Sequence, residues 1–414
     1  MVIALNNIEL TKFFLAIVLL ILFAYLFGYI FNKFKMPKVV GEIFGGILLG
    51  PTFLGYFFPD LYNFVFLQEG KLLAVIYWLG LILLMFCSGF ELHKNFNKND
   101  KKIITLITIS STIIPLIVGF LLASFFDISS LIGNKNNLLA LKLVIAVAIA
   151  ITLIPIISKI FFDLNIIKTR FARIVLSIAT IHDVVLWVFV AIATGLVSSS
   201  GLSFWSIFWN VILSLSFFAF VLLLIPKLIN FIRSKKVKIP KNYELGFAIF
   251  LLLLFVILTI VLNVNIIFGA FLAGIVISFL KSQKFKKVKT HVKEFSFAFF
   301  IPIYFSIVGI KLDLIHNFDL LFFVGLFFLA ILTQGFAVIL ASKLLKFNWL
   351  SSFNLAMAMN ARGGPGIVLA TVAFDSGIIN DNFFVSLIVL SIATSLLAGV
   401  WLRFVISKNL RLLN

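Results

Sequence analysis

The 414-residue sequence predicts an all-α polytopic membrane protein, and three observations carry that reading. Mean hydropathy is +1.21, with 63% of residues apolar and only 12% charged, whereas a soluble chain of ordinary composition has about a quarter of its residues charged. Apolar runs of about 20 residues, long enough to cross a bilayer, recur along the whole length. The basic residues fall between those runs and alternate in density from one gap to the next. Soluble enzymes, secreted disulfide frameworks and disordered regulators are excluded together, and the single cysteine, Cys87, has no internal disulfide partner. A net charge of +19 would suit nucleic-acid binding only if it were clustered on one soluble face. Here it lies between greasy segments.

Taken in order, the apolar runs cover residues 10–31, 39–58, 71–90, 103–126, 139–161, 171–196, 203–231, 243–262, 264–280, 294–312, 318–342, 349–374 and 383–404. The first is long enough to span and has no small-residue cleavage site behind it, so it reads as a span and not as a removable leader. Only Asn263 to Asn265 separates the eighth run from the ninth.

Lysine and arginine mark the cytoplasmic loops of membrane proteins, which tests this division independently. The gaps after spans 1, 3, 5, 7, 9 and 11, with the C-terminal tail, hold 28 of the 34 basic residues. The opposite side holds Lys12, Lys71, Lys135, Lys142 and Lys311. A wrong span count would scramble that alternation. The expected topology is therefore thirteen crossings in a prokaryotic cell membrane, N-terminus outside and C-terminus cytoplasmic, with the excess charge also attracting anionic lipid.

The spans repeat. Gly41, Gly45 and Gly46 of span 2 correspond to Gly269, Ala273 and Gly274 of span 9, and the close of span 3, Phe86 to Leu92, corresponds to the close of span 10, Phe305 to Leu312. Both closes carry a glycine (Gly89, Gly309), an apolar residue, a charge (Glu91, Lys311) and a leucine. Small residues also serve simple close packing of membrane helices, but two matches in the same order favour a repeat. The copies lie seven spans apart, an odd number, so they are inverted, as in many secondary transporters whose site sits at the midplane on interrupted helices. The same register pairs span 5, with Thr152 and Pro155, with span 12, where Arg362, Gly363, Gly364, Pro365 and Gly366 follow Asn360. Both stretches are expected to unwind and expose backbone groups to a polar cavity.

A charge at the bilayer centre costs about 2.5–3.5 kcal/mol on insertion scales, so those retained there are functional candidates. His182 and Asp183 in span 6 and Arg362 in span 12 lie near the middle of a span, and Glu42 lies a few residues into span 2. Asp183 with Arg362 reads as an ion or proton site with charge compensation, the alternative being a purely structural salt bridge. His182 reads either as part of that site or as a neutral imidazole bonded within the bundle. Thr180 shares the face of Asp183, as a ligand or as a hydroxyl bonded back to its own helix. Arg362 stays charged at physiological pH, which makes it a fixed countercharge.

With these residues in view, the chain resembles the monovalent cation:proton antiporters, specifically the cation:proton antiporter-2 group of sodium/hydrogen exchanger type, over essentially its whole length. The resemblance rests on Gly41-Glu42 through Gly50-Pro51, Phe86 to Leu92, Thr152 with Pro155, Ile181 to Trp187 around Asp183, Gly269 to Gly274, and Asn360 to Ala370. It implies a sodium/proton antiporter fold of thirteen helices with inverted repeats, in which spans 5 and 12 are crossed and broken. It implies a core domain of about residues 103–196 and 318–404, moving against a scaffold of about 10–90 and 203–312 that forms a homodimer. Asp183 would take the ion-binding carboxylate position and Thr152 the polar position in the unwound stretch. Two positions depart from the pattern. The residue before the aspartate, commonly Asp, Asn or Gln, is His182, and the lysine or arginine common in span 11 is matched best by Gln334.

With neither a second acid nor that base, one-for-one electroneutral exchange of a proton for sodium or potassium is expected, by alternating access at Asp183. No cofactor and no resident metal are expected. Enzyme activity is not expected either, because the sequence has no metal-ligand His pair, no Gly-x-Ser-x-Gly turn and no paired catalytic carboxylates. The alternative is a potassium-efflux protein of the glutathione-regulated type. Those relatives often carry a dinucleotide-binding domain after the last span, where only about ten residues follow here.

Overall fold

A computed structural model describes residues 6–34, 36–67, 70–90, 100–150, 152, 157, 160–161, 164–198, 209, 212, 216, 221, 243–262, 265–280 and 283–413. The principal helices are α1 (Asn7–Lys33), α2 (Lys38–Leu49), α3 (Gly70–Gly89), α4 (Lys101–Phe125), α5 (Leu138–Ala150), α6 (Arg170–Ser198) and α7 (Glu244–Val261). They continue as α8 (Ile266–Phe279), α9 (Gln283–Phe295), α10 (Ile301–Ile310), α11 (Leu320–Leu344), α12 (Trp349–Met359), α13 (Gly363–Asp375) and α14 (Asp381–Ser407). Nine helical segments among the described residues are long and apolar enough to cross a membrane, and α5, α8 and part of α13 are shorter apolar pieces. Their outward faces are apolar too, with Leu321 84% and Leu332 64% exposed, as suits contact with lipid in a multi-pass integral membrane protein.

Short polar side chains start these helices by accepting from the first free backbone N–H groups. Asn6 and Glu9 form a reciprocal capping box on α1. Asn265 caps α8, Asp319 caps α11, Asn348 caps α12 and Asn380 caps α14. Each lies at the bilayer edge of an apolar run, where the backbone needs a partner that hydrocarbon does not provide.

Two packed groups emerge. In one, α2 packs on α1 and α10, α8 packs on α3 and α7, and α10 packs on α1 and α3. In the other, α4 packs on α5, α6 and α11, α12 packs on α11 and α14, and α13 packs on α14. Among the described residues each of these pairings except that of α10 with α1 has a counterpart seven spans away or maps onto itself.

The inverted repeat is clearest at two helix crossings. Where α2 meets α10, a Cβ on Gly46 would stand 2.0 Å from the Ser306 carbonyl oxygen, and one on Gly309 2.2 Å from that of Ile43. Where α8 meets α3, a Cβ on Gly274 would stand 2.2 Å from the Phe86 carbonyl oxygen, and one on Gly89 2.4 Å from that of Phe271. In the seven-span register Gly46 corresponds to Gly274 and Gly309 to Gly89, so one backbone-on-backbone crossing is built twice. Only glycine permits that approach.

Two expectations change in detail, and a third falls outside the described residues. The lysine-rich stretch before span 10 is not a loop, since α9 is an amphipathic helix that buries Phe285, Val288 and Val292 and exposes Lys286, Lys287 and Lys293. A π-turn over Ser296–Phe300 joins it directly to α10. In span 12 the interruption is narrower than expected, covering 360–362. Gly363 turns the chain at φ +44°, and Gly364, Pro365 and Gly366 already belong to the first turn of α13. A proline is tolerated there because first-turn N–H groups lack helical partners anyway. Span 7, over 203–231, lies outside the described residues except for isolated positions, as does Pro155 of span 5.

Candidate functional site

The site begins with two interruptions that meet. Helix α5 ends at Ala150, before Thr152, and α12 ends at Met359. A helix C-terminus presents unpaired carbonyls and a partial negative charge, and Arg362 answers the one on α5. Its Nε donates to the Ala148 carbonyl at 3.1 Å, and one Nη donates to the carbonyls of Ile149 at 2.9 Å and Ala330 at 3.1 Å. The guanidinium, 1% exposed, thus ties the break in span 12 to the end of α5 and to α11. The planar fork makes this possible, and lysine has no equivalent.

Thr152 closes the crossing from the other side. Its hydroxyl donates to the Met359 carbonyl and accepts from Gln334 Nε2 at 3.0 Å. Gln334, fully buried in α11, therefore occupies the site where the resemblance led one to look for a base, and it binds the very threonine singled out from span 5. Asn360 adds a third polar group, with its amide nitrogen donating to the Ala356 carbonyl at 3.0 Å and, more weakly, to that of Ile331 at 3.4 Å.

Helix α6 carries the ionisable pair. His182 and Asp183 are 0% and 1% exposed. His182 Nε2 lies 2.9 Å from Ser111 Oγ on α4. The Ser111 proton is directed to the Ile107 carbonyl at 2.5 Å, so Nε2–H is the donor in that pair. Thr180 donates to the Leu176 carbonyl at 2.7 Å. The back-bonded reading is thus the observed one, although the hydroxyl keeps lone pairs to offer a cation. The α6 helix packs against α4, α5, α12 and α13, and so adjoins both interruptions.

The first turn of α13 is fixed by α14. Gly363 N–H donates to Ser395 Oγ at 2.9 Å, and a Cβ on Gly366 would stand 2.5 Å from Ser391 Oγ. Glu42, by contrast, sits in the other group of helices. There it lies 3.5 Å from Lys38 one turn away in α2, and its backbone carbonyl accepts from Ser306. The structure thus brings together Thr152, Gln334, Arg362, Gly363 and Gly366 around the crossing, with His182, Asp183 and Thr180 on an adjoining helix, and leaves Glu42 elsewhere.

Sequence reasoning missed Ser111, Ser395 and Asn360 as bonded members of this neighbourhood. For Ser111 a signal existed, because Thr108, Ser111 and Thr112 stack at three- and four-residue spacing on an otherwise apolar span, and all three are buried. Ser395 carried no such signal, since hydroxyls that bond back to their own helix are common in membrane spans.

Comparison with known proteins agrees with this architecture. The sequence profile of the family described as sodium/hydrogen exchanger, transmembrane, matches residues 18–408. The Na(+)/H(+) antiporter NhaS4 of Synechocystis is 26% identical over 92% of this chain and 94% of its own length. Cation/H(+) antiporter 19 of Arabidopsis thaliana is 28% identical over 92% of this chain but only 48% of its own, so the chain spans about half the length of that relative. The solved sodium proton antiporter MjNhaP1 of Methanocaldococcus jannaschii superimposes with a TM-score of 0.57 at 16% identity, over 95% of this chain and 96% of its own, and so shares the fold. With nearly the full length matched by one family profile, the chain belongs to the sodium/hydrogen exchanger family, whose members are transporters.

Proposed function

We propose that this protein exchanges protons for a monovalent cation, sodium or potassium, with Asp183 carrying either one in turn. The observation that carries the reading is a carboxylate buried beside His182 on α6, a helix that packs against the elements carrying both interruptions, in a chain of this family. Alkali cations are hard ions that take oxygen ligands. Asp183, Thr152, Thr180 and backbone carbonyls of the interrupted stretch supply oxygens, and His182 Nδ1 supplies a nitrogen or a tether for the carboxylate. Arg362 compensates charge by neutralising the end of α5, so that an ion need compete only for Asp183.

In this reading α4–α6 with α11–α14 form the moving core, and α1–α3 with α7–α10 form the scaffold and the homodimer face. Thirteen crossings place the N-terminus outside and the lysine-rich loops in the cytoplasm of a cell membrane. One carboxylate holding either one proton or one cation is neutral in both loaded states, so the cycle moves no net charge.

The test is reconstitution in vesicles loaded with a pH-sensitive dye, adding each alkali cation in turn. Saturable, cation-driven proton movement without a coupled current is expected. Flux that ignores an opposing proton gradient would indicate a channel and refute exchange, and a current scaling with transport would refute the stoichiometry.

A further inference from the structure

Asp375 is the last residue of α13, a position where a helix end is already negative and an added carboxylate is unfavourable unless paired. Its partners come from the opposite group of helices. Lys311, directly after α10, lies with Nζ 2.8 Å from Asp375 Oδ1, and the Tyr77 hydroxyl of α3 donates to Oδ2 at 2.5 Å. The same ammonium stands 4.0 Å from the centre of the Tyr77 ring, so the three side chains form one closed unit with both carboxylate oxygens engaged. Deeper along the same seam, the Tyr304 hydroxyl reaches Thr371 Oγ1 of α13 at 3.4 Å, and the Tyr77 and Tyr304 rings lie 5.3 Å apart. Beside the unit opens a cavity of about 410 Å³, lined by Tyr62, Phe66, Tyr77, Trp78, Lys311 and Asp375. The clasp therefore borders an open cavity on one side and the buried Tyr304–Thr371 pair on the other.

These contacts cross the seam between the two helix groups at the membrane face opposite the lysine-rich loops. We propose that Tyr77, Lys311 and Asp375 are gating residues of the exchange cycle, forming a clasp that closes the outer seam in this conformation and parts when the core moves. This rests on the proposed motion of core against scaffold. A charge-assisted pair at a seam bordering an open cavity suits the task, because its members regain water on parting. An apolar contact there would expose greasy surface instead.

The test reads accessibility and not transport, so it stays separate from the exchange reading. Cys87 is the only cysteine in the chain, so the Cys87→Ser, Thr371→Cys protein presents a single thiol at a fully buried position behind the clasp. The full chain in vesicles is treated with a membrane-impermeant maleimide from the outer face. Lys311→Gln and Asp375→Asn should each speed labelling about tenfold, the response to a comparable shift in the open population. Tyr77→Phe, which removes one hydroxyl and keeps the ring, should speed it less. The paired exchange Lys311→Asp with Asp375→Lys should restore slow labelling. Unchanged labelling in the single variants, or fast labelling that the paired exchange leaves uncorrected, would overturn the proposal.

Discussion

Replacing Gly46 by alanine would put a methyl group 2.0 Å from the Ser306 carbonyl oxygen, about 1.4 Å inside the 3.4 Å at which ordinary contact begins. The obstacle is backbone in the middle of a packed helix, so no rotamer change relieves it, and α2 and α10 must separate. A gap of 0.5–1 Å already forfeits a quarter to a half of the dispersion attraction across an interface. Overpacking of this kind typically costs about 1–3 kcal/mol, and with backbone as the obstacle the upper end applies. About 3 kcal/mol corresponds to roughly a hundredfold in the folding equilibrium. Because the repeat builds the crossing twice, Gly274→Ala, 2.2 Å from the Phe86 carbonyl oxygen, should cost nearly as much. Gly246 and Gly325 are the internal controls, because nothing stands within 4 Å of a Cβ at either position. Alanine there should be neutral or stabilising, since helical glycine costs up to about 1 kcal/mol relative to alanine. The assay is thermal unfolding of the four purified variants, with recovery of monodisperse protein as a second readout. If Gly46→Ala and Gly274→Ala melt with the two controls, the paired close crossing is not what holds these helices together.

Three further outcomes follow from the site. Gln334→Leu removes the amide that bonds Thr152 and should cost about 1–2 kcal/mol of stability, together with a raised apparent KM for the cation; a variant unchanged in both would detach Gln334 from the site. His182→Asn should shift the pH profile of exchange, and Ser111→Ala should shift it too by releasing Nε2, whereas an unmoved profile in both would leave the imidazole a packing group. Arg362→Lys keeps the charge but loses the fork to Ala148, Ile149 and Ala330, and it should destabilise by about 2–4 kcal/mol. Equal melting temperatures for that variant and the parent would contradict the helix-end role.

The bilayer explains why so much was legible in advance. A membrane span announces itself by length and apolarity, so the order of helices can be read without knowing any contact. The glycine pairs were legible as a repeat for the same reason, because close helix approach admits few residue types. Which glycine meets which was not legible, since it depends on how the two copies intertwine. Thr152 and Gln334 each stood out alone, but no sequence pattern states that residues 182 positions apart share a hydrogen bond. Counting lysines as loop markers hid α9, where Phe285, Val288 and Val292 keep a helical spacing beneath the charge. Asp375 and Lys311 went unpaired because both lie at span ends, where charges are ordinary.

The most direct test of the exchange mechanism is cation-driven proton movement in vesicles containing Asp183→Asn, with expression and monodispersity matched to the parent. Asparagine keeps the shape of the side chain and removes the group that a proton and a cation would contest. Loss of cation-dependent proton movement, with the fold intact, is the predicted result. Retained exchange in that variant would contradict the account and move the ion site to another residue.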